Sequence, residues 1–78
     1  MYLVQTHVFR YSEGFYEVGV IIVNEEKKTR KFYTYTIPTE KVLRDFTRLY
    51  RHKKNHGKAL QTLKKNDITQ RTAAEMRV

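Results

Sequence analysis

Three segments in the first half of the chain are rich in aromatic and β-branched residues and partly alternate between apolar and polar positions. They span residues 2–11, 15–23 and 31–37, and this pattern predicts three β-strands. The second segment has apolar residues on both faces, so we expect it to be the central strand. The short connections at residues 12–14 and 24–30 favour antiparallel pairing, because a parallel crossover needs about a dozen residues or more.

The first segment divides into two faces if its alternation is regular. Even-numbered residues from Tyr2 to Val8 would then share one face, and odd-numbered residues from Leu3 to Phe9 the other. The second connection, residues 24–30, is polar throughout and lacks the Asn-Gly or Asp-Gly pair of a tight turn. We therefore expect a longer, solvated hairpin loop there.

An amphipathic helix is predicted over residues 39–52. Pro38 ends the third strand, Thr39 is a favoured N-cap, and Glu40 suits the positive end of the helix dipole. At about 100° per residue, the apolar residues fall on one face and the bases on the nearly opposite face. The apolar residues are Val42, Leu43, Phe46, Leu49 and Tyr50, and the bases are Lys41, Arg44, Arg48 and Arg51.

Residues beyond this helix predict a connector, a short second helix and a tail. Gly57 is expected to close the connector, and residues 58–65 repeat the amphipathic pattern. Residues 67–78 are polar, although Thr72 and Glu75 have the spacing of a capping box. A frayed or marginally helical tail is expected, because few apolar residues could hold it against the domain.

These elements together predict one small α+β domain over residues 1–66. Its architecture would be a three-stranded antiparallel β-meander followed by an amphipathic helix packed on one face and a short second helix. A chain of 78 residues buries only about 60% of its unfolded surface, so its core is thin. Formation of a homodimer is therefore an alternative state.

Basic residues are concentrated in the second half of the chain. Residues 1–38 hold five bases and four acids, whereas residues 39–78 hold eleven and four, within a net charge of +8. Positive charge gathered on a helix is typical of proteins that bind a phosphate backbone. The alternative interpretation is a solvated Lys-rich surface without a ligand. Guanidinium groups paired with the molecule's own carboxylates would count against binding.

We therefore predict a non-enzymatic protein that binds DNA or RNA mainly through phosphate contacts. The alternative is a protein-binding module, such as a small inhibitor or adaptor, that docks on an acidic protein surface. The predicted nucleic-acid-binding residues are the bases of the first helix, those that follow it and those of the second loop. They are Lys41, Arg44, Arg48, Arg51, Lys53, Lys54, Lys58, Lys64, Lys65, Lys27, Lys28 and Arg30.

Aromatic residues offer a second way to contact nucleic acid. The chain has six Tyr and four Phe but no Trp. Either Tyr33 and Tyr35 or Phe32 would lie near an uncovered sheet face, where they could stack on unpaired bases. Packing in the core is the favoured interpretation, because large aromatic side chains are the main apolar volume available to so small a domain.

The sequence offers little for metal or covalent chemistry. It contains no Cys, so it has neither a disulfide framework nor a thiolate metal site. His52 and His56 have the i, i+4 spacing of a metal-binding pair but no third ligand nearby, and we expect no metal and no cofactor. A metal-independent ribonuclease using His, Lys, Arg and Tyr is the weaker functional alternative.

The longest aliphatic run, residues 20–23, is far too short to span a bilayer. The first ten residues lack the basic region and apolar block of a signal peptide. We therefore expect a cytoplasmic protein without membrane contact.

Overall fold

Three antiparallel strands form a single sheet in the computed structural model, which describes residues 1–69. The strands are β1 (Tyr2–Arg10), β2 (Tyr16–Asn24) and β3 (Thr29–Ile37), in the order β1-β2-β3. The predicted meander, with the second segment at its centre, is confirmed. The second hairpin loop is shorter than predicted, because β2 and β3 continue their pairing to Asn24 and Thr29.

Two helices follow the sheet, α1 (Glu40–Tyr50) and α2 (His56–Asn66). The Thr39 hydroxyl caps α1 by accepting a hydrogen bond from the Val42 N–H at 3.3 Å, as the sequence predicts. The first helix is shorter than predicted and the second starts earlier. The reason is that residues 53–55 form a 3₁₀ helix that leads directly into α2, so residue 57 lies inside the first turn of α2.

The helices cover one face of the sheet, and the core lies between the two layers. The largest fully buried side chains are Phe46 of α1, Leu63 of α2, and Val18, Val20 and Ile37 of the strands. Burial of each such side chain contributes about 1.5–3 kcal/mol. The predicted apolar face of α1 therefore packs inward, and the α+β architecture is confirmed.

A β-bulge between Gln5 and His7 changes the predicted faces of β1. Thr6 is the extra residue and has no partner on β2, so every side chain after it moves to the other face. Val4 and His7 consequently share the uncovered face, while Leu3 lies in the core. The prediction that Leu3 and His7 share a face is wrong. Side chains alternate between the two faces of a strand, so one extra residue moves all later side chains to the opposite face.

Side chains of the helical layer cover part of the outer edge of β1. The Leu3 N–H donates to Nδ1 of His56 at 2.9 Å, and the Gln5 N–H donates to the Tyr50 hydroxyl at 2.8 Å. The Nε2 of His56 donates in turn to the Tyr50 carbonyl at 2.8 Å. The ring proton of His56 therefore lies on Nε2, since Nδ1 is the acceptor. Backbone groups satisfied in this way cannot pair with a strand of another chain.

The outer edge of β3 is covered at one end by the chain after α2. The Thr36 N–H donates to Oδ1 of Asp67 at 3.1 Å, and the Ile68 N–H donates to the Thr36 carbonyl at 2.8 Å. Asp67 and Ile68, at the start of the predicted tail, thus contact the sheet. Residues 70–78, with the predicted capping box at Thr72 and Glu75, lie outside the described residues.

Replacement of His56 tests the edge contact directly. We expect His56→Ala to lower the free energy of unfolding by about 2–4 kcal/mol, because it leaves the Leu3 N–H unpaired and opens a cavity. Urea denaturation followed by circular dichroism measures this difference. His52→Ala, at an exposed position four residues earlier, is the matched control and should change it by less than about 0.5 kcal/mol. Equal losses in the two variants would contradict this assignment.

Candidate nucleic-acid interface

The helical layer presents a strongly cationic outer surface. Residues 40–66 contain nine Lys and Arg residues and two acids, a net charge of +7, and all nine bases are exposed. We call these nine side chains the basic helical surface. They are Lys41, Arg44, Arg48, Arg51, Lys53, Lys54, Lys58, Lys64 and Lys65.

Four of these bases form a ridge along α1 and its C-cap. Lys41, Arg44, Arg48 and Arg51 recur at spacings of three, four and three, and they extend over roughly 15 Å at about 1.5 Å per residue. Phe46, on the other side of the helix, is fully buried. The ridge therefore faces away from the core, which is the arrangement that the sequence predicts.

Two of the ridge arginines contact carboxylates of the same helix. Arg44 lies 3.1 Å from Glu40, and Arg48 lies 3.6 Å from Asp45. The arginine side chains of these pairs are 75% and 76% exposed. Exposed helix pairs of this kind contribute only about 0.3–0.5 kcal/mol. The carboxylates thus lower the local charge, but they do not hold the guanidinium groups away from a phosphate.

Lys53 is the base most engaged with the rest of the molecule. Its ammonium lies 3.4 Å from the Glu25 carboxylate and 4.6 Å from the centroid of the Tyr2 ring. The ion pair is exposed and weak, since water screens it, and the ammonium beside the half-buried Tyr2 ring is itself exposed to water. Lys53 therefore connects the basic helical surface to the β2–β3 hairpin.

The predicted loop bases do not all lie with the helical ones. Lys27 and Lys28 belong to the β2–β3 turn, where Lys28 has a φ of 52°. Lys27, Lys31 and Tyr33 border a shallow depression of about 220 Å³ on the side of the sheet that faces the helices. Arg30 instead lies on the opposite side of the sheet, as the register requires. The register thus places Arg30 on the other face of the sheet from Lys27.

The sheet face that the helices leave uncovered, here called the open face, is partly apolar. The register aligns Val4, Ile21 and Phe32 in one row across the three strands. Phe32 is 58% exposed on this face, whereas Tyr35 is buried on the other. Of the aromatic residues of β3, Phe32 is therefore the one that lies on the open face.

A hydrogen-bonded cluster that the sequence analysis did not predict lies on the open face. Nε2 of His7 donates to Oε2 of Glu17 at 2.9 Å, and the Tyr11 hydroxyl donates to Oε1 of Glu17, also at 2.9 Å. The Thr6 hydroxyl lies 3.1 Å from Nδ1 of His7. His7 reaches across β2 because its partner there is Gly19, where a Cβ atom would overlap the imidazole ring. A glycine inside an apolar strand is the one sequence signal of this close approach.

The cluster changes the acidity of its members. The hydrogen bonds from His7 and then from Tyr11 hold the pKa of Glu17 below its ordinary value of 4.5. The same hydrogen bond to Glu17 raises the pKa of Tyr11 above its ordinary value of 10.0. Glu17 is thus kept ionised and Tyr11 protonated over a wide pH range.

The structure assigns different roles to the two histidines with metal-binding spacing. His56 is buried with both ring nitrogens hydrogen-bonded, while His52 is exposed. Among residues 1–69, no three His, Cys, Asp or Glu side chains are grouped so that they could hold a metal ion. No helix in this part of the chain is long and apolar enough to cross a membrane.

Comparisons of the chain with models of known protein families, with curated proteins and with solved structures give no match.

The cluster on the open face predicts a pH-dependent contribution to stability. Folded Glu17 binds its proton less tightly than unfolded Glu17, so its hydrogen bonds stabilise the fold above pH 4.5. That contribution is lost as the pH falls through the lowered pKa of the folded state. We therefore expect the difference in unfolding free energy between the wild type and Glu17→Gln to shrink between about pH 6 and pH 3.

Urea titrations of both proteins at several pH values measure this difference. Tyr11→Phe is an independent check, because it removes one of the hydrogen bonds to Glu17 and retains the aromatic ring. When Tyr11→Phe is introduced into both the wild type and Glu17→Gln, the pH-dependent difference between these two proteins should therefore become smaller without disappearing. A difference between the wild type and Glu17→Gln that does not vary with pH would contradict the role given to Glu17.

Proposed function

We propose that this protein binds nucleic acid without catalysis, through phosphate contacts made by the basic helical surface. The observation that carries the proposal is the exposure of all nine bases in residues 40–66, against two acids in the same segment. Charge of one sign on one side of a small domain attracts a polyanion from a distance and releases its counterions on contact.

The two ion pairs on the ridge count against binding only to the extent of their strength, which is small. A phosphate oxygen that approaches Arg44 or Arg48 competes with an exposed carboxylate contact worth only about 0.3–0.5 kcal/mol. Arginine also binds phosphate with two parallel hydrogen bonds, which a single carboxylate contact does not match. We therefore expect each arginine to leave its carboxylate partner, Glu40 or Asp45, and to bind a phosphate group instead.

Weak sequence preference is the expected result of this chemistry. Contacts from Lys and Arg to phosphates position a protein on nucleic acid but do not read the bases. The proposed surface consists of long, solvated Lys and Arg side chains. Its affinity should therefore follow the density of phosphates and the salt concentration more than the sequence of the ligand.

Neutralising the arginines of the ridge tests the proposal. Arg44→Gln, Arg48→Gln and Arg51→Gln together lower the net charge from +8 to +5. We expect the affinity for a fluorescein-labelled duplex of about 20 base pairs to fall at least about ten-fold. The slope of log K against log salt should fall by about two to three, since each lost phosphate contact removes about 0.9. Fluorescence anisotropy at several salt concentrations measures both quantities.

A variant of equal charge separates a local site from a general effect of charge. Arg10→Gln, Arg30→Gln and Lys31→Gln neutralise three exposed bases outside the helical layer and also lower the net charge to +5. This control should keep most of the affinity and of the salt slope. Equal losses in the two triple variants would contradict the proposed site. Absence of salt-dependent binding to duplex DNA and to single-stranded RNA would contradict the proposed function and favour a protein partner instead.

A further inference from the structure

The open face carries almost no net charge, although the protein as a whole carries +8. Arg30 and Glu17 are the only Arg, Lys, Asp or Glu residues that the register of the described strands places on this face. The row of Val4, Ile21 and Phe32 lies between them. This face is therefore where two copies of so basic a protein could approach with the least repulsion.

The polar groups of the cluster around Glu17 on the open face already satisfy one another. Both carboxylate oxygens of Glu17 accept hydrogen bonds, one from His7 and one from Tyr11. The remaining ring nitrogen of His7 lies beside the Thr6 hydroxyl. Removing such groups from water costs little compared with burying unpaired ones. The cluster is thus compatible with a covered interface.

We infer that the open face binds the open face of a second copy of this chain, forming a symmetric dimer. The charges favour a two-fold axis that crosses the strands. In the register, Arg30 lies near one end of the sheet and Glu17 near the other. A two-fold axis across the strands reverses the strand direction, so Arg30 of each copy approaches Glu17 of the other. The apolar row then lies near the middle of the interface.

The dimensions of the domain suit this packing. The Cα positions extend over 37 × 33 × 18 Å, so the domain is a thin slab with two broad faces. The open face itself, three nine-residue strands wide, measures roughly 15 × 30 Å. Stable interfaces bury about 800 Å² on each partner and weak ones bury less, so this face suits a weak, reversible dimer. Stacked sheets lie about 10 Å apart, and both basic helical surfaces would face outward. In the dimer, each sheet is therefore covered by its own helices on one face and by the second copy on the other.

Two neighbouring residues of β3 provide a matched test. Phe32 lies on the open face and Tyr33 on the other, at 58% and 41% exposure. We expect sedimentation equilibrium of the wild type to show a dimer within the range of about 1 μM to 1 mM. Phe32→Glu should weaken the dimer more than about ten-fold, while Tyr33→Glu should leave it within about three-fold of the wild type. A wild type that stays monomeric, or equal effects of the two variants, would overturn the inference.

Single cysteines give a second readout that does not weaken the interface. The chain has no Cys, so Val4→Cys and Val8→Cys each introduce one thiol. Both positions are exposed on β1, but the bulge places Val4 on the open face and Val8 on the opposite face. A short bis-maleimide should cross-link Val4→Cys and not Val8→Cys. Cross-linking of both would indicate pairing through the edge of β1, and cross-linking of neither would indicate an interface elsewhere; both results overturn the inference.

The charge contact is tested by reversal and exchange. Arg30→Glu alone and Glu17→Arg alone should each weaken the dimer, because each places like charges opposite one another across the two-fold axis. The combination Arg30→Glu with Glu17→Arg should recover part of the lost association. Folding of each variant is checked by circular dichroism. A double variant weaker than both single variants would overturn the proposed orientation of the two sheets.

Discussion

The one-sided burial of a three-stranded sheet is the constraint on which the rest of this structure depends. A single helical hairpin can cover only one face, so all of the fully buried side chains lie between that face and the helices. His56 and Tyr50 hold this layer against the outer edge of β1 through backbone groups of the first strand. The position of every exposed residue, basic or apolar, follows from this arrangement.

Burial and charge divide the molecule into two unlike surfaces. The helical layer turns its apolar side inward and therefore presents its bases to water, whereas the open face remains nearly neutral and partly apolar. The two surfaces can serve different partners, because long-range charge acts on one and short-range packing on the other. Nucleic-acid binding and dimerisation are thus compatible proposals, which use opposite sides of the same thin domain.

Much of the fold could be predicted from local patterns. Period-two runs mark the strands, Thr39 marks the start of α1, and the apolar residues around Phe46 mark its buried face. Boundaries were predicted less well where a local signal was ambiguous. Glycine is common at helix ends. Gly57, however, is exposed within the first turn of α2, and no neighbouring atom there requires a glycine. Propensity alone therefore placed the second helix two residues late.

What the sequence by itself determined is the order of the elements, the amphipathic face of α1 and the concentration of charge in the second half. These properties depend on spacings within a few residues, which are readable without a partner segment. The tertiary structure alone decided the bulge at Thr6, the burial of His56 and the contact of His7 with Glu17. Each of these depends on how separate segments pair or pack against one another, and no local period encodes that arrangement.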